Sequence, residues 1–331
     1  MDLQILVPQY SETEDIIKPL LDSIALQQYV SLDQIGVIIC NDGSNVFLSE
    51  EFLSSYPFRI DYYREPHRGV SGTRNACLDY AKAEYVMFCD ADDMFFNMLA
   101  FMMIFTEMRT GFDCLVSLFL EEAKTPDGEL QYINHEHDTT FVHGKVFRRS
   151  FLTENRIRFC DRLTIHEDSY FNILAQKISK NTRYVQTAFY LWKWRGESVC
   201  RRDPKYAVKT MVNLIESGDA LIRELYHRGM RDDAIGLVGS SVFDYYYTMC
   251  RPDWMNPKNH KVRDVTERRM AKFFRKYRAL WNAIPEADRM TISAGARQES
   301  IQRGMLMESV TFREWLDKIE TLTQEGVKNT T

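Results

Sequence analysis

The chain has 331 residues, 45% of them apolar and 27% charged, with a formal net charge of −5. This length suits one large α/β domain with a smaller appendage, and the apolar share is that of a globular protein able to bury a core. The acidic balance excludes a general attraction to nucleic acid or anionic lipid and leaves only local basic patches for such partners.

Residues 3–7 read as a strand that Pro8 stops. A helix follows, capped by Ser11 or Thr13, with Ile16, Ile17, Leu20, Leu21 and Ile24 on its apolar face. Residues 36–40 form a second strand running into Asn41-Asp42-Gly43-Ser44, and residues 58–63 a third. A Gly-rich turn, Gly69-Val70-Ser71-Gly72, opens a helix through Tyr80, and residues 85–89 form a fourth strand that ends in Asp90-Ala91-Asp92-Asp93. Repeated β–α units imply a mostly parallel, Rossmann-like sheet flanked by helices, with ligands at the carboxyl ends of its strands. Pro8-Gln9-Tyr10, Asn41-Asp42 and the Asp90 cluster all fall on that edge.

Further along, residues 114–120 are strand-like, Thr125-Pro126-Asp127-Gly128 is a hairpin turn signal, and residues 190–194 close the α/β part. His143-Gly144-Lys145 and His166-Glu167-Asp168 precede helix-like segments. After about Asp203 only helical patterns remain, over residues 206–228, 231–250 and 265–281. The expected organisation is an α/β catalytic domain over residues 1–200 and a helical region over 201–331. Seven scattered cysteines without a Cys-x-x-Cys pair fit a reduced compartment. The chain enters a strand at once without a signal-peptide pattern, and its longest apolar stretch, residues 94–105, is too short for a bilayer. A cytoplasmic location is expected, at most peripheral to the inner face of a membrane.

Carboxylates at the end of a buried strand must take up protons or find a cation. Hard oxygen ligands at the Asp90–Asp93 spacing suit Mg²⁺ or Mn²⁺, and an ion so held can bind a diphosphate. The competing reading is a solvated acidic turn capping the next helix. No Gly-x-Gly-x-x-Gly and no Gly-x-x-x-x-Gly-Lys follows the first strand, which argues against a dinucleotide-dependent dehydrogenase and a P-loop NTPase.

In chain order, Val7-Pro8-Gln9-Tyr10, Asn41-Asp42-Gly43-Ser44, Gly69 with Gly72-Thr73-Arg74-Asn75, Asp90-Ala91-Asp92-Asp93 and Glu167-Asp168 resemble the motif series of the family 2 glycosyltransferases of the nucleotide-diphospho-sugar (GT-A) fold. The resemblance covers residues 1–200. It implies inverting transfer of a hexose from a UDP-sugar to a hydroxyl of a glycan or lipid-linked acceptor, with Mn²⁺ or Mg²⁺ as cofactor. By the same resemblance, Pro8 ends the first strand so that the backbone at Gln9 and Tyr10 lines the base pocket, and Asp42 accepts from the base N–H. Arg74 and Asn75 would border the nucleotide or brace the acidic motif. Asp90 would contact the ribose or the metal through water, Ala91 beside it would help bind the nucleotide, and Asp92 would ligate the metal directly. Asp93 would bind sugar hydroxyls or cap the next helix. Asp168 would be the general base, with Glu167 a second candidate, because inversion needs a base opposite the leaving group. The His143 stretch would lie beneath the acceptor, with Lys145 reaching acceptor or phosphate.

Arg195, three residues before Ser198, stands where family members carry His or Arg. An Arg cannot ligate a metal but can clamp phosphate, so Lys193, Arg195, Arg201 and Arg202 would share the leaving-group charge and loosen metal dependence. Trp192 and Trp194 would stack on sugars or pack in the core, and His135-Glu136-His137 reads as an exposed loop rather than a metal site. Residues 258–278 form a basic helix interleaved with Phe273, Phe274 and Tyr277, either a solvated face or a peripheral contact for membrane or nucleic acid. Two other activities use related parts: the same transfer to hydroxymethylated bases of DNA, and nucleotidyl transfer. The latter needs a basic Gly-rich loop after the first strand, where Ser11-Glu12-Thr13-Glu14 has the opposite charge.

Overall fold

The computed structural model describes residues 1–125, 127–136, 138–196, 206–249, 257–302 and 310–328. The chain forms two compact units, Met1–Gly196 and Glu197–Thr331.

The first unit is built on one sheet. Its opening half alternates β1 (Leu3–Gln9), α1 (Glu14–Ala25), β2 (Ile35–Asp42), the short α2 (Glu50–Ser54), β3 (Arg59–Glu65), α3 (Gly69–Tyr80) and β4 (Tyr85–Phe88). Then come β5 (Met94–Phe95), α4 (Ala100–Met108), the long β6 (Cys114–Lys124), β7 (Leu130–His135), β8 (Lys145–Arg148), α5 (Arg149–Glu154), α6 (Glu167–Ile178) and β9 (Thr182–Trp192). The sheet order is β3-β2-β1-β4-β8-β6-β9-β5, with β7 attached to β6. The four strands of the opening half are mutually parallel. Beyond β4 the sheet is mixed, because β8 runs antiparallel to both β4 and β6 while β9 runs parallel to β6. Leu3, Ile5 and Val7 of β1 and Val37 and Ile39 of β2 bury against Ile17, Leu20, Leu21 and Ile24 of α1. The helical spacing of that last set and the strand alternation of the others meet on one core face.

Pro8 does not stop β1, which continues through Gln9 in register with Asn41. The Leu6 carbonyl accepts from Cys89 N–H on the β4 side, and Pro8, two residues on, faces the same way. The β1–β4 register ends at Leu6 and Phe88, so the missing proline N–H falls where no ladder needs it. β7 is an edge strand whose Leu130, Tyr132 and Ile133 are exposed, and among the described residues it pairs only with β6.

The second unit is helical among its described residues: α7 (Tyr206–His227), α8 (Arg231–Met249), α9 (His260–Asn282), α10 (Glu286–Gln302) and α11 (Phe312–Lys328). Its core is aromatic, with Phe243, Tyr245, Tyr246, Phe273, Phe274, Tyr277, Trp281 and Trp315 all buried. Among the described residues no helix is long and apolar enough to cross a membrane.

Candidate active site

The carboxyl end of β4 and the start of α6 bring Asp90, Glu167 and Asp168 together around Arg74. Arg74 lies in α3 and is only 3% exposed. Its guanidinium bonds Asp90 Oδ1 at 2.8 Å, Glu167 Oε1 at 2.9 Å and Asp168 Oδ1 at 2.5 Å. Burial opposes its charge, but Asp168, Asp90 and Glu167 together hold it firmly protonated. The ring of Phe159 lies 5.3 Å beneath it. Of the two roles open to Arg74, these bonds describe the brace. Asn75 does not reach toward the acids: it fastens the 159–161 loop, bonding Phe159 O at 3.0 Å and Asp161 Oδ1 at 2.8 Å.

One cation among three carboxylates leaves a surplus of negative charge that burial cannot tolerate, so the protons distribute unequally. Asp168 is pushed well above the usual carboxylate range by burial, with Glu167 and Asp90 adding to the effect against Arg74. Asp90 is held low by Arg74 and His143 in spite of its burial. His166, just before α6, has φ 63°, a left-handed backbone uncommon outside glycine. That bend sets Glu167 and Asp168 in the first turn of α6, where the helix dipole favours negative charge.

The rest of the β4 motif divides into different environments. Asp93 is 1% exposed; it accepts from Tyr190 Oη at 2.5 Å and from Lys193 N–H at 2.9 Å. Burial, then Asp90 and Asp92, push it well above its ordinary range. Tyr190 Oη also accepts the Asp90 N–H at 3.0 Å, so one hydroxyl on β9 pins two residues of the motif. Asp92 is less buried and accepts from Arg195 Nη1 at 2.8 Å, with Glu12 Oε1 4.0 Å from the same nitrogen. Burial raises the Asp92 pKa, as does Asp90, while Arg195 opposes them.

Asp90, Asp93 and His143 offer ligand atoms within 4.8 Å of one another. Both Asp93 oxygens are already engaged, whereas Asp90 and Asp92 keep side chains 32% and 27% exposed. Among the described residues Asp92 stands outside that group; the hard oxygens of Asp90 and Asp92 suit Mg²⁺ or Mn²⁺, and Nδ1 of His143 is buried and unpartnered. Burial pushes His143 down to about 4, so its ring is neutral.

On the β2 side, Asn41 Nδ2 and Tyr62 Oη both donate to Gln9 Oε1, at 2.8 and 3.2 Å, and Gln9 Nε2 donates to Glu12 O and Val46 O. This knot fixes the loop beyond β2. Asp42 is 5% exposed, and its two oxygens meet Arg68 N–H at 2.7 Å and His67 Nδ1 at 2.9 Å. Gly43, at φ 70°, packs so closely that a Cβ would fall 2.6 Å from His67 N. Above Asp42, the exposed rings of Tyr10 and His67 lie 5.3 Å apart.

Lys145 does not reach the site edge. It begins β8, is 1% exposed, and donates from Nζ to Phe141 O at 2.5 Å with Asp138 3.6 Å away. Gly144, at φ 66°, lies against β6 with no room for a Cβ, which would meet Ser117 Oγ at 2.5 Å. Trp192 packs 5.3 Å from Phe141, and Lys124 Nζ stands 3.8 Å over Trp194. His135 stacks on Phe119 and meets Glu121 at 3.0 Å; His137, Ser198, Arg201 and Arg202 lie outside the described residues. A cavity of about 630 Å³ sits at the opposite ends of the strands, beside Asp2 and Tyr85, and none of these acids lines it. Sequence reasoning missed Tyr190, His67 and Glu12; a buried acid triplet needing donors was the only signal for the first.

A sheet with parallel opening strands whose carboxyl edge gathers braced carboxylates has the architecture of a nucleotide-sugar transferase fold. The chain matches the model of glycosyl transferase family 2 over residues 4–174 and belongs to that family. It is 26% identical over 310 residues to the poly(ribitol-phosphate) beta-glucosyltransferase of Bacillus spizizenii, covering 86% of this chain and 46% of the relative. The minor teichoic acid biosynthesis protein GgaB of Bacillus subtilis is 26% identical over 232 residues, 64% of this chain and 25% of GgaB. The chain thus spans less than half the length of both. Among solved structures, S. aureus TarS 1-349 superposes with a TM-score of 0.60 at 16% identity, over 92% of each chain, and so shares the GT-A-type fold.

Proposed function

We propose that this chain is an inverting hexosyltransferase that moves a sugar from a UDP-sugar to an acceptor hydroxyl of a surface-type glycan or glycoconjugate. The observation that carries the reading is Arg74, whose single guanidinium bonds both Asp168 and Asp90 and so supports pairing an acceptor-side base with a donor-side carboxylate. The relatives of glucosyl and teichoic acid type support a polysaccharide acceptor, and a TarS structure determined with UDP-GlcNAc (TM-score 0.51) supports a UDP-linked donor.

In this mechanism Tyr10 and His67 form the rim for the base, with the Gln9–Asn41 knot and the turn around Asp42 behind it. Asp168 takes the proton of the acceptor hydroxyl as its oxygen attacks the anomeric carbon. The bond from that carbon to the diphosphate oxygen breaks on the opposite face, and its electron pair leaves with UDP. The raised pKa of Asp168 gives it the basicity to hold that proton. Arg195, bonded to Asp92, would share the charge of the departing diphosphate. Asp90 and Asp92 would hold Mn²⁺ or Mg²⁺, which supplies neutralisation of the leaving group when bound.

The test is a panel of nucleotide sugars read by UDP release with and without Mn²⁺, repeated in Asp168→Asn and Asp92→Ala. Turnover confined to UDP-sugars and lost in both variants is the expected result. Undiminished turnover in both variants would overturn the mechanism.

A further inference from the structure

Helix α9 divides sharply between two faces. Met270, Phe273, Phe274, Tyr277 and Trp281 are 1–7% exposed and build the core of the helical unit. The opposite face carries Lys261, Val265, Arg268, Lys272 and Arg275, all exposed. Those positions follow the i, i+4, i+7, i+11, i+14 line of neighbours along a helix and extend for about 20 Å. Flanking cations are matched: Arg269 to Glu216, Lys276 to Asp219, and Arg278 to Glu320 at 3.3 Å. Among the described residues no ion pair or hydrogen bond joins Lys261, Arg268, Lys272 or Arg275 to an acid, although Asp264 shares their face. Like charges three and four residues apart repel, so this line is held against its own preference and an anion laid along it would relieve it.

The same burial narrows what that anion is. An amphipathic helix that enters a membrane needs an apolar face to insert, and here that face is in the core, with Val265 the one apolar residue left in the line. A single-stranded nucleic acid binds by stacking on aromatic rings among the cations, and Phe273, Phe274 and Tyr277 are turned away. Duplex DNA carries a charge about every 1.7 Å, far denser than cations that stand about 5 to 10 Å apart along this helix. A line of four cations suits a slender polymer with spaced phosphates, gripped by guanidinium and ammonium groups alone.

We propose that the outward face of α9 binds an acceptor polymer whose repeats are joined by phosphodiesters. This deepens the acceptor half of the proposed function and rests on that reading.

The test uses the full chain and a fluorescently labelled poly(glycerol phosphate) oligomer as probe. Anisotropy titrations are expected to show affinity falling about tenfold or more between about 50 mM and about 200 mM salt. The variant Arg268→Glu/Lys272→Glu/Arg275→Glu should weaken binding about tenfold or more, and the corresponding Gln variant by an intermediate factor, with circular dichroism unchanged. Hydrolysis of the sugar donor without acceptor should be the same in wild type and both variants. Equal binding by the Glu and Gln variants, equal binding of an uncharged dextran, or tighter binding of phosphatidylglycerol vesicles or duplex DNA through these residues would each overturn the proposal. The two readings separate cleanly. Salt-sensitive polymer binding without UDP release from any donor sinks the transferase reading and leaves the surface. Transfer to the polymer with a KM unmoved in both variants does the reverse.

Discussion

Charge is handled in opposite ways by the two units of this chain. In the α/β unit, Arg74 is 3% exposed and shared by three carboxylates, so each charge is defined by the others. In the helical unit, four cations of α9 stand exposed in a line, and among the described residues no acid is bonded to them. Buried charge fixes geometry and protonation, and it tolerates little change because each partner left behind is stranded. Exposed charge contributes little to folding and remains available to a partner.

The contrast breaks or sharpens by substitution. Arg74→Met should be the most damaging change, since it leaves Asp90, Glu167 and Asp168 without their cation. A loss of about 3–5 kcal/mol in urea unfolding is expected, together with activity. Unchanged stability would show that the cluster is not the buried brace described. Asp168→Asn should leave the fold and the donor KM intact while lowering kcat by about 10²–10⁴-fold, read by UDP release with a saturating acceptor. Arg195→Ala removes the cation now bonded to Asp92, so half-maximal activation should need about tenfold less Mn²⁺, the scale of one charge-assisted hydrogen bond.

A subtler test is the pH profile of Glu167→Gln. Asp168 acts as a base only when deprotonated, so the wild-type rate falls as pH drops through its raised pKa. Glu167 contributes to that raising. Neutralising it lowers the Asp168 pKa, and the acid limb of kcat should move to lower pH. The smallest effect belongs to the exposed line: Arg268→Gln/Lys272→Gln/Arg275→Gln should change unfolding free energy by no more than about 0.5 kcal/mol. A larger loss would mean that this face is packed after all.

The β–α alternation was legible because it is local: the apolar spacing of Ile17, Leu20, Leu21 and Ile24 and the runs of β1, β2 and β4 need no tertiary knowledge. The clustering of polar strand ends on one edge followed from that topology. What could not be read is contact across long separations. Arg74 meets Glu167 93 residues away, a pairing set by how α3 and α6 dock, and no periodicity encodes it. Lys145 misled for a different reason: lysine is ordinarily exposed, and a fully buried ammonium is rare. Pro8 was read as a stop because its missing donor matters only where a neighbouring strand requires one. The hairpin turn was visible, but the short β5 and β8 have too few residues to show an alternation.

β7 bears on handling the protein. Its edge offers unpaired backbone groups beside exposed Leu130, Tyr132 and Ile133, a template onto which another chain can add. Glu129 and Glu136 bracket the strand and act as gatekeepers through mutual repulsion between copies. Self-association through this edge at high concentration is therefore opposed by those two charges, and salt that screens them weakens the protection.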